Sequence, residues 1–286
     1  ELRRRLKPGI FVSEHGPVHR KDWISGALRD RLAAGIHVEL LGSLLSLQDA
    51  RVLEIRTRTG AISAALQRLY GCEAATLPIF ESQQYVIRSL YNLPADTLID
   101  FDRFTIPYEG MFDLVVSNHM LTHAVRPGDF LKTVGERLKV GGHLYLYNEP
   151  DEIEYLDRDQ SMFNVLNPFH LQTFDATALI GALAAHGFES VFVSHTDLNF
   201  LCLARRVTTA GAVRQDRTVL ERRLKRYRRA RDLAILSLPA ESRTPFEGEW
   251  SQVVERAVLA GDATLDQRGR VICGRKLRRS LTPVAH

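Results

Sequence analysis

Three cysteines, Cys72, Cys202 and Cys273, are all that this chain of 286 residues contains, and they stand far apart. No metal-ligand spacing, redox motif or disulfide framework can be drawn through them, which leaves three plain thiols and the reading of a reduced, cytoplasmic protein. Long apolar runs are missing too: no stretch approaches the roughly 18 residues that a bilayer-spanning helix needs. The opening ELRRRLKPG has no apolar segment behind its charges and reads as no secretory leader. Internal repeats and low-complexity tracts are likewise absent. What is present is ordinary for a globular chain, with 45% hydrophobic and 25% charged residues and a formal net charge of +4. The positive excess is concentrated, most of it lying in RQDRTVLERRLKRYRRAR between Arg214 and Arg231.

Periodicity divides the chain. Residues 22–47 repeat apolar side chains at three and four, the spacing of a helix that covers a domain. Short strands and helices then alternate. The strands expected are Arg51–Ile55, Glu73–Leu77, Thr97–Phe101, Phe112–Asn118 and His143–Asn148. The helices expected between them are Ala61–Tyr70, Glu81–Tyr91 and Pro127–Leu138. Such alternation with short connections means a parallel sheet with helices on both faces. After a helix at Ala176–His186, the strands Glu189–His195 and Phe200–Arg206 are joined by TDLN alone. A parallel return needs a crossover of about a dozen residues or more, so this pair must be antiparallel. The expected layout is a helical cover over 1–48, an α/β domain over 49–206, and a basic helical extension over 207–286.

FDLVVSNHMLTHAVRPGDFLKTVGERLKVGGHLYLYNEP is the most specific stretch, supported by VLEIRTRTG and by FHLQTFDATALIGALAAHGFESVFV. On these segments, residues 50–206 resemble the class I S-adenosylmethionine-dependent methyltransferases. That resemblance implies a Rossmann-like seven-stranded, mainly parallel sheet with a reversed last strand. It also implies a cofactor site at the carboxyl ends of the strands, where ligands of open α/β sheets bind. The family's first loop follows acid–apolar–Gly–x–Gly–x–Gly. Glu54 and Ile55 match its start and Gly60 its last glycine, but Arg56 and Arg58 replace the first two. Those glycines permit positive φ and close backbone approach, whereas arginine brings bulk and a cation beside a cofactor that is itself a cation. Pro78 stands where the family places its ribose-binding acid, with Glu81 the nearest substitute. Asp102 fits the adenine-edge position, with Arg103 and Phe104 beside it. Asn118 and His119 end the fourth strand, near where the methionine portion meets the acceptor.

The resemblance therefore carries two functional readings. The first is a pseudoenzyme whose S-adenosylmethionine site is damaged, which takes no such cofactor and acts by binding a partner or another ligand. The second is an active enzyme in which Glu54, Arg56, Gly60, Asp102, Asn118 and His119 hold S-adenosylmethionine. His123 would then assist a small-molecule or sugar acceptor. Arg56 and Arg58 bind an anion on one reading; on the other they face solvent or pair with Glu54 and Asp113. His123 is either a general base or a cap on the next helix, and His170 either faces the cleft or fixes its loop. Glu149, Asp151, Glu152 and Glu154 lack an interleaved histidine, so no metal site is expected and a solvated loop is the plainer reading. The 215–238 segment is read as a helix docking a protein partner or a second copy, nucleic acid being the lesser alternative. SNHM in place of a proline-containing motif after the fourth strand argues against base methylation.

Overall fold

The computed structural model describes residues 10–13, 16–101, 103–151, 170–196, 198–209, 225, 229, 232, 236, 247–260, 263–265 and 271–273. The chain divides into two compact units, Glu1–Pro150 with Ala176–Val213, and Asp151–Asp175 with Arg214–His286.

The first unit opens with a hairpin of β1 (Ile10–Ser13) and β2 (Gly16–His19), which periodicity did not reveal. It runs straight into α1 (Arg20–Leu44). There follow β3 (Arg51–Ile55), α2 (Ala61–Tyr70), β4 (Glu73–Leu77), α3 (Glu81–Tyr91), β5 (Phe112–Asn118), α4 (Pro127–Arg137) and β6 (Leu138–Pro150). The unit ends with α5 (Ala176–Ala185), β7 (Phe188–Thr196) and β8 (Asn199–Arg206). Six strands form one sheet in the order β4-β3-β5-β6-β8-β7. The first four run parallel, and β8 is antiparallel to both of its neighbours, which the short link requires of the β7–β8 pair.

The seventh strand expected at Thr97–Phe101 does not form. This segment meets the β4 side at separated points, where Pro94 accepts from Thr76 and Ile99 donates to Pro78. A ladder needs regular pairing, and two anchors on opposite sides of β4's end give none. Ile99 is buried while its neighbours Thr97 and Asp100 stay exposed, so the segment lies over the sheet edge as a loop.

Central strands carry unbroken apolar runs because both faces are covered. Val52, Leu53, Ile55, Val115 and Val116 are wholly buried. One face packs under α1 and α2, where Ala34, Val38, Leu41, Ile62 and Leu66 meet Leu114, Tyr145, Tyr147 and Leu203. Each wholly buried aliphatic of this kind contributes about 1.5–3 kcal/mol. At Gly42 the Tyr70 hydroxyl occupies the space that a Cβ would take, so α1 and α2 approach closely there.

In the second unit, α6 (Glu247–Leu259) and a hairpin of β9 (Ala263–Leu265) and β10 (Val271–Cys273) are described. Arg256 forks onto Asp232 at 2.6 and 3.0 Å. Of the expected 215–238 helix, Lys225, Arg229, Asp232 and Leu236 are helical, and the remainder lies outside the described residues. Among the described residues no helix is long and apolar enough to cross a membrane.

Candidate functional site

A cleft of about 390 Å³ opens at the carboxyl ends of β3, β5 and β6, beneath α1. The loop from Arg56 to Thr59 lines it, with Glu54 behind, Asn118, His119, Tyr147 and Asn148 at the strand ends, and Asp30 and His37 from α1. Glu54, Arg56, Asn118 and His119 thus line one cleft. Pro78, Phe101, Arg103 and Phe104 are not among the lining residues, and Asp102 lies outside the described residues. The free space therefore sits toward the strand ends and α1, and Gln83 alone represents the β4 side. Glu81 is exposed and does not reach the cleft. Gln83 is held by the N–H groups of Ile79 and Phe80 at 2.8 and 3.1 Å.

The loop keeps the backbone of a glycine-rich turn with only the last of its glycines. Arg56 has φ 56° and Gly60 φ 74°, and Gly60 N–H donates to the Thr57 hydroxyl at 2.7 Å. Glu54 accepts the Ser63 N–H at 2.9 Å and ties the strand end to the start of α2. Burial raises the Glu54 pKa against that bond, and Asp30 adds to the rise. His119 (φ 50°) and Asn148 (φ 58°) also stand at positive φ, so three of the five non-glycine residues there, among the described ones, line this cleft. Strained backbone of this kind persists only where surroundings enforce it, and it gathers at ligand sites.

The two arginines differ in exposure: Arg58 stands open to solvent and Arg56 is buried. Arg58 forks onto Asp30 of α1, through Nε at 3.0 Å and through Nη2, and Thr59 Oγ1 donates to the same carboxylate at 3.0 Å. Asp113, the partner considered for these arginines, instead takes the Arg51 N–H and Lys139 Nζ. Arg56 is 7% exposed, and its side chain runs across the end of β5. Nη1 lies 3.4 Å from the Asn118 carbonyl oxygen and Nη2 lies 3.0 Å from His123 Nε2. Arginine only donates, so in this contact His123 is the acceptor through Nε2.

The turn carrying His123 is fixed from beneath. Glu149 is 1% exposed and accepts from the N–H groups of Leu121 at 2.8 Å and Thr122 at 3.1 Å, and from the Thr122 hydroxyl at 2.9 Å. Burial raises its pKa, with those bonds and the nearby Arg56 opposing the rise. Glu149 and Asp151 are both buried, which corrects the expectation of a solvated acidic loop; Glu152 and Glu154 lie outside the described residues. His170 falls in the second unit.

Sequence reading missed Asp30, His37, Gln83, Tyr147 and Asn148. A signal existed for the first two. Ala27, Ala34, Val38 and Leu41 mark the buried stripe of α1, and Asp30 and His37 fall beside that stripe, where polar residues are rare.

Comparison with known proteins agrees with this architecture. A family model described as a methyltransferase domain matches residues 26–192. An S-adenosylmethionine-dependent methyltransferase from Mesorhizobium loti superposes with TM-score 0.50 at 15% identity, over 59% of this chain and 96% of that one. A SAM-dependent methyltransferase from Aquifex aeolicus gives 0.47 at 16% identity, over 59% and 88%. Magnesium protoporphyrin IX methyltransferase from Synechocystis, with bound SAH, gives 0.48 at 17%, over 71% and 92%. No curated protein matches by sequence.

Proposed function

This chain belongs to the methyltransferase-domain family, and from that premise we propose that its cleft has left the ordinary S-adenosylmethionine mode. On this reading it is a pseudo-methyltransferase, a binding protein on a methyltransferase fold. It acts through a different cleft ligand or through a protein partner, for which the arginine-rich 215–238 segment is a second candidate surface.

The observation that carries the reading is the course of Arg56. Its guanidinium lies against the Asn118 carbonyl and His123, at the strand end near which the family resemblance has the methionine portion meet the acceptor. A cofactor entering there would bring a sulfonium next to a fixed guanidinium in a buried place, where like charges repel strongly. The same contact disarms His123. A general base must offer its free nitrogen to an acceptor's proton, and Nε2 is already taken. The ribose position adds to this, since Pro78 has no side-chain acceptor to give and no acid reaches the cleft from α3.

A second reading keeps the enzyme active. Arg56 retains the positive φ of the glycine it replaces, and Glu54 and Gly60 still hold the loop in a cofactor-type turn. Swinging one side chain aside would then open the site.

Calorimetric titration with S-adenosylmethionine, and separately with S-adenosylhomocysteine, decides between them. We expect no heat for the wild type at about 1 mM ligand, and micromolar binding after Arg56→Gly with Arg58→Gly. Micromolar binding to the wild type would establish the active reading instead.

A further inference from the structure

We propose that the outer face of α1 is a self-association surface, on which a second copy of this chain docks its own α1 antiparallel. The inference does not depend on what the cleft holds. Helix α1 is apolar on two sides. Ala27, Ala34, Val38 and Leu41 are buried against the domain, whereas Leu28, Leu32 and Ile36 are 49%, 77% and 70% exposed on the opposite side. Single exposed leucines are common, but three at steps of four residues make a continuous apolar ridge. A helix greasy on both faces belongs in a buried setting, so the outer ridge calls for a cover.

Charge and shape name the second copy as that cover. Arg29 and Glu39 are both exposed and bracket the ridge. Arg29 lies one heptad before Ile36 and Glu39 one heptad after Leu32, so each charge continues the line of one ridge residue. A twofold axis that passes beside α1, perpendicular to it and at the level of Ala34, sets Leu32 against the second copy's Ile36. The same axis brings Arg29 to the height of the second copy's Glu39, across a narrow seam that two long side chains span. Each opposite pair occurs twice by symmetry, which makes the surface self-complementary in the manner of an isologous interface. Gly35 lies on the flank of the ridge, and among the described residues a side chain there would meet nothing within 4 Å, which leaves space for a facing helix. A parallel arrangement in register would put Arg29 on Arg29 and Glu39 on Glu39, and is disfavoured for that reason. The ridge alone falls short of the roughly 800 Å² per partner of a standard interface, so the dimer is concentration-dependent.

Sedimentation equilibrium of the full chain tests this, over about 1 µM to 1 mM. The wild type is expected to move from the 32.3 kDa monomer toward twice that mass. The double variant Leu32→Glu with Ile36→Glu, whose fold is checked by circular dichroism, should stay monomeric throughout. Arg29→Glu and Glu39→Arg should each weaken association about tenfold, and the two together should restore it. A wild type that is monomeric across the whole range overturns the proposal. So does a dimer that survives the double glutamate variant, or a charge swap that restores nothing. Monomeric protein that co-sediments with anionic phosphatidylserine vesicles, and loses this with the glutamates, would assign the ridge to a lipid surface and overturn it too.

Discussion

Arg56 and Arg58 stand two residues apart in one loop, yet they belong to different physical regimes. Arg58 is at the rim, its side chain 45% exposed and forked onto Asp30 of α1. Arg56 is in the floor, almost wholly buried, and joined to a turn that Glu149 holds from below. Water screens the first interaction and leaves it worth little. The second sits where dielectric screening is weak, where each polar group must be matched or its full desolvation cost is exposed. Family resemblance registers two identical losses of glycine. The structure separates them into an exposed clasp on α1 and a buried side chain in the floor.

The floor should therefore break far harder than the rim. Replacing Glu149 by alanine strips acceptors from two backbone N–H groups and one hydroxyl that are all buried. We expect a loss of about 2–4 kcal/mol in chemical denaturation. The turn bearing His123 should loosen with it, visible as faster amide exchange at Leu121 and Thr122. A loss below about 1 kcal/mol would mean that the floor is no more stringent than the surface.

The rim gives the contrasting measurement. Arg58→Ala removes an exposed ion pair and should cost no more than about 1 kcal/mol. That difference should shrink further between about 0.05 and 0.5 M salt, as expected for charges in contact with solvent. A large, salt-independent loss would show the clasp to be structural, with α1 held to the loop by Asp30 rather than by its apolar face.

How much of this was legible in the sequence follows the same division. The alternation of strands and helices, the antiparallel pair forced by TDLN, and the assembly of Glu54, Arg56, Asn118 and His119 at one end of the sheet all rest on local signals. Period, chain reach and strand polarity suffice for these. Partners do not follow from such signals. Nothing near Arg58 in sequence points to Asp30, 28 residues earlier, and nothing near Glu149 points to the turn 28 and 27 residues before it. The expected strand at Thr97–Phe101 failed for a related reason. Its β-type composition was real, but a strand also needs a regular line of partners, and the chain after Pro94 offers β4 only separated bonds. The hairpins at each end were missed because strands of three or four residues leave no period to read.

His37 supplies the finest test, since it stands between floor and rim. It projects from α1 onto the sheet, with Nδ1 2.8 Å from the Tyr145 hydroxyl and its ring 4.6 Å from that of Tyr147. Burial lowers its pKa below the ordinary 6.5, so the docked helix favours neutral imidazole. The unfolded chain takes up that proton first as pH falls. His37 thus contributes stability that is fully present above about pH 6.5 and is lost progressively as the solution is acidified toward the folded pKa. Glu54 and Glu149 act in the opposite sense: burial raises their pKa values, so their contribution is fully present only below the ordinary carboxylate range and fades as pH rises through the folded value. The raw pH profile therefore mixes both signs, and the informative quantity is the difference between wild type and His37→Gln. Urea denaturation between pH 7.5 and 5.5 should show the wild type losing stability more steeply than the variant. The excess slope should stay below about 1.4 kcal/mol per pH unit, the value for one whole proton. Parallel profiles would mean that His37 titrates as it does in water. The contact between α1 and Tyr145 would then open too readily to count as part of the floor.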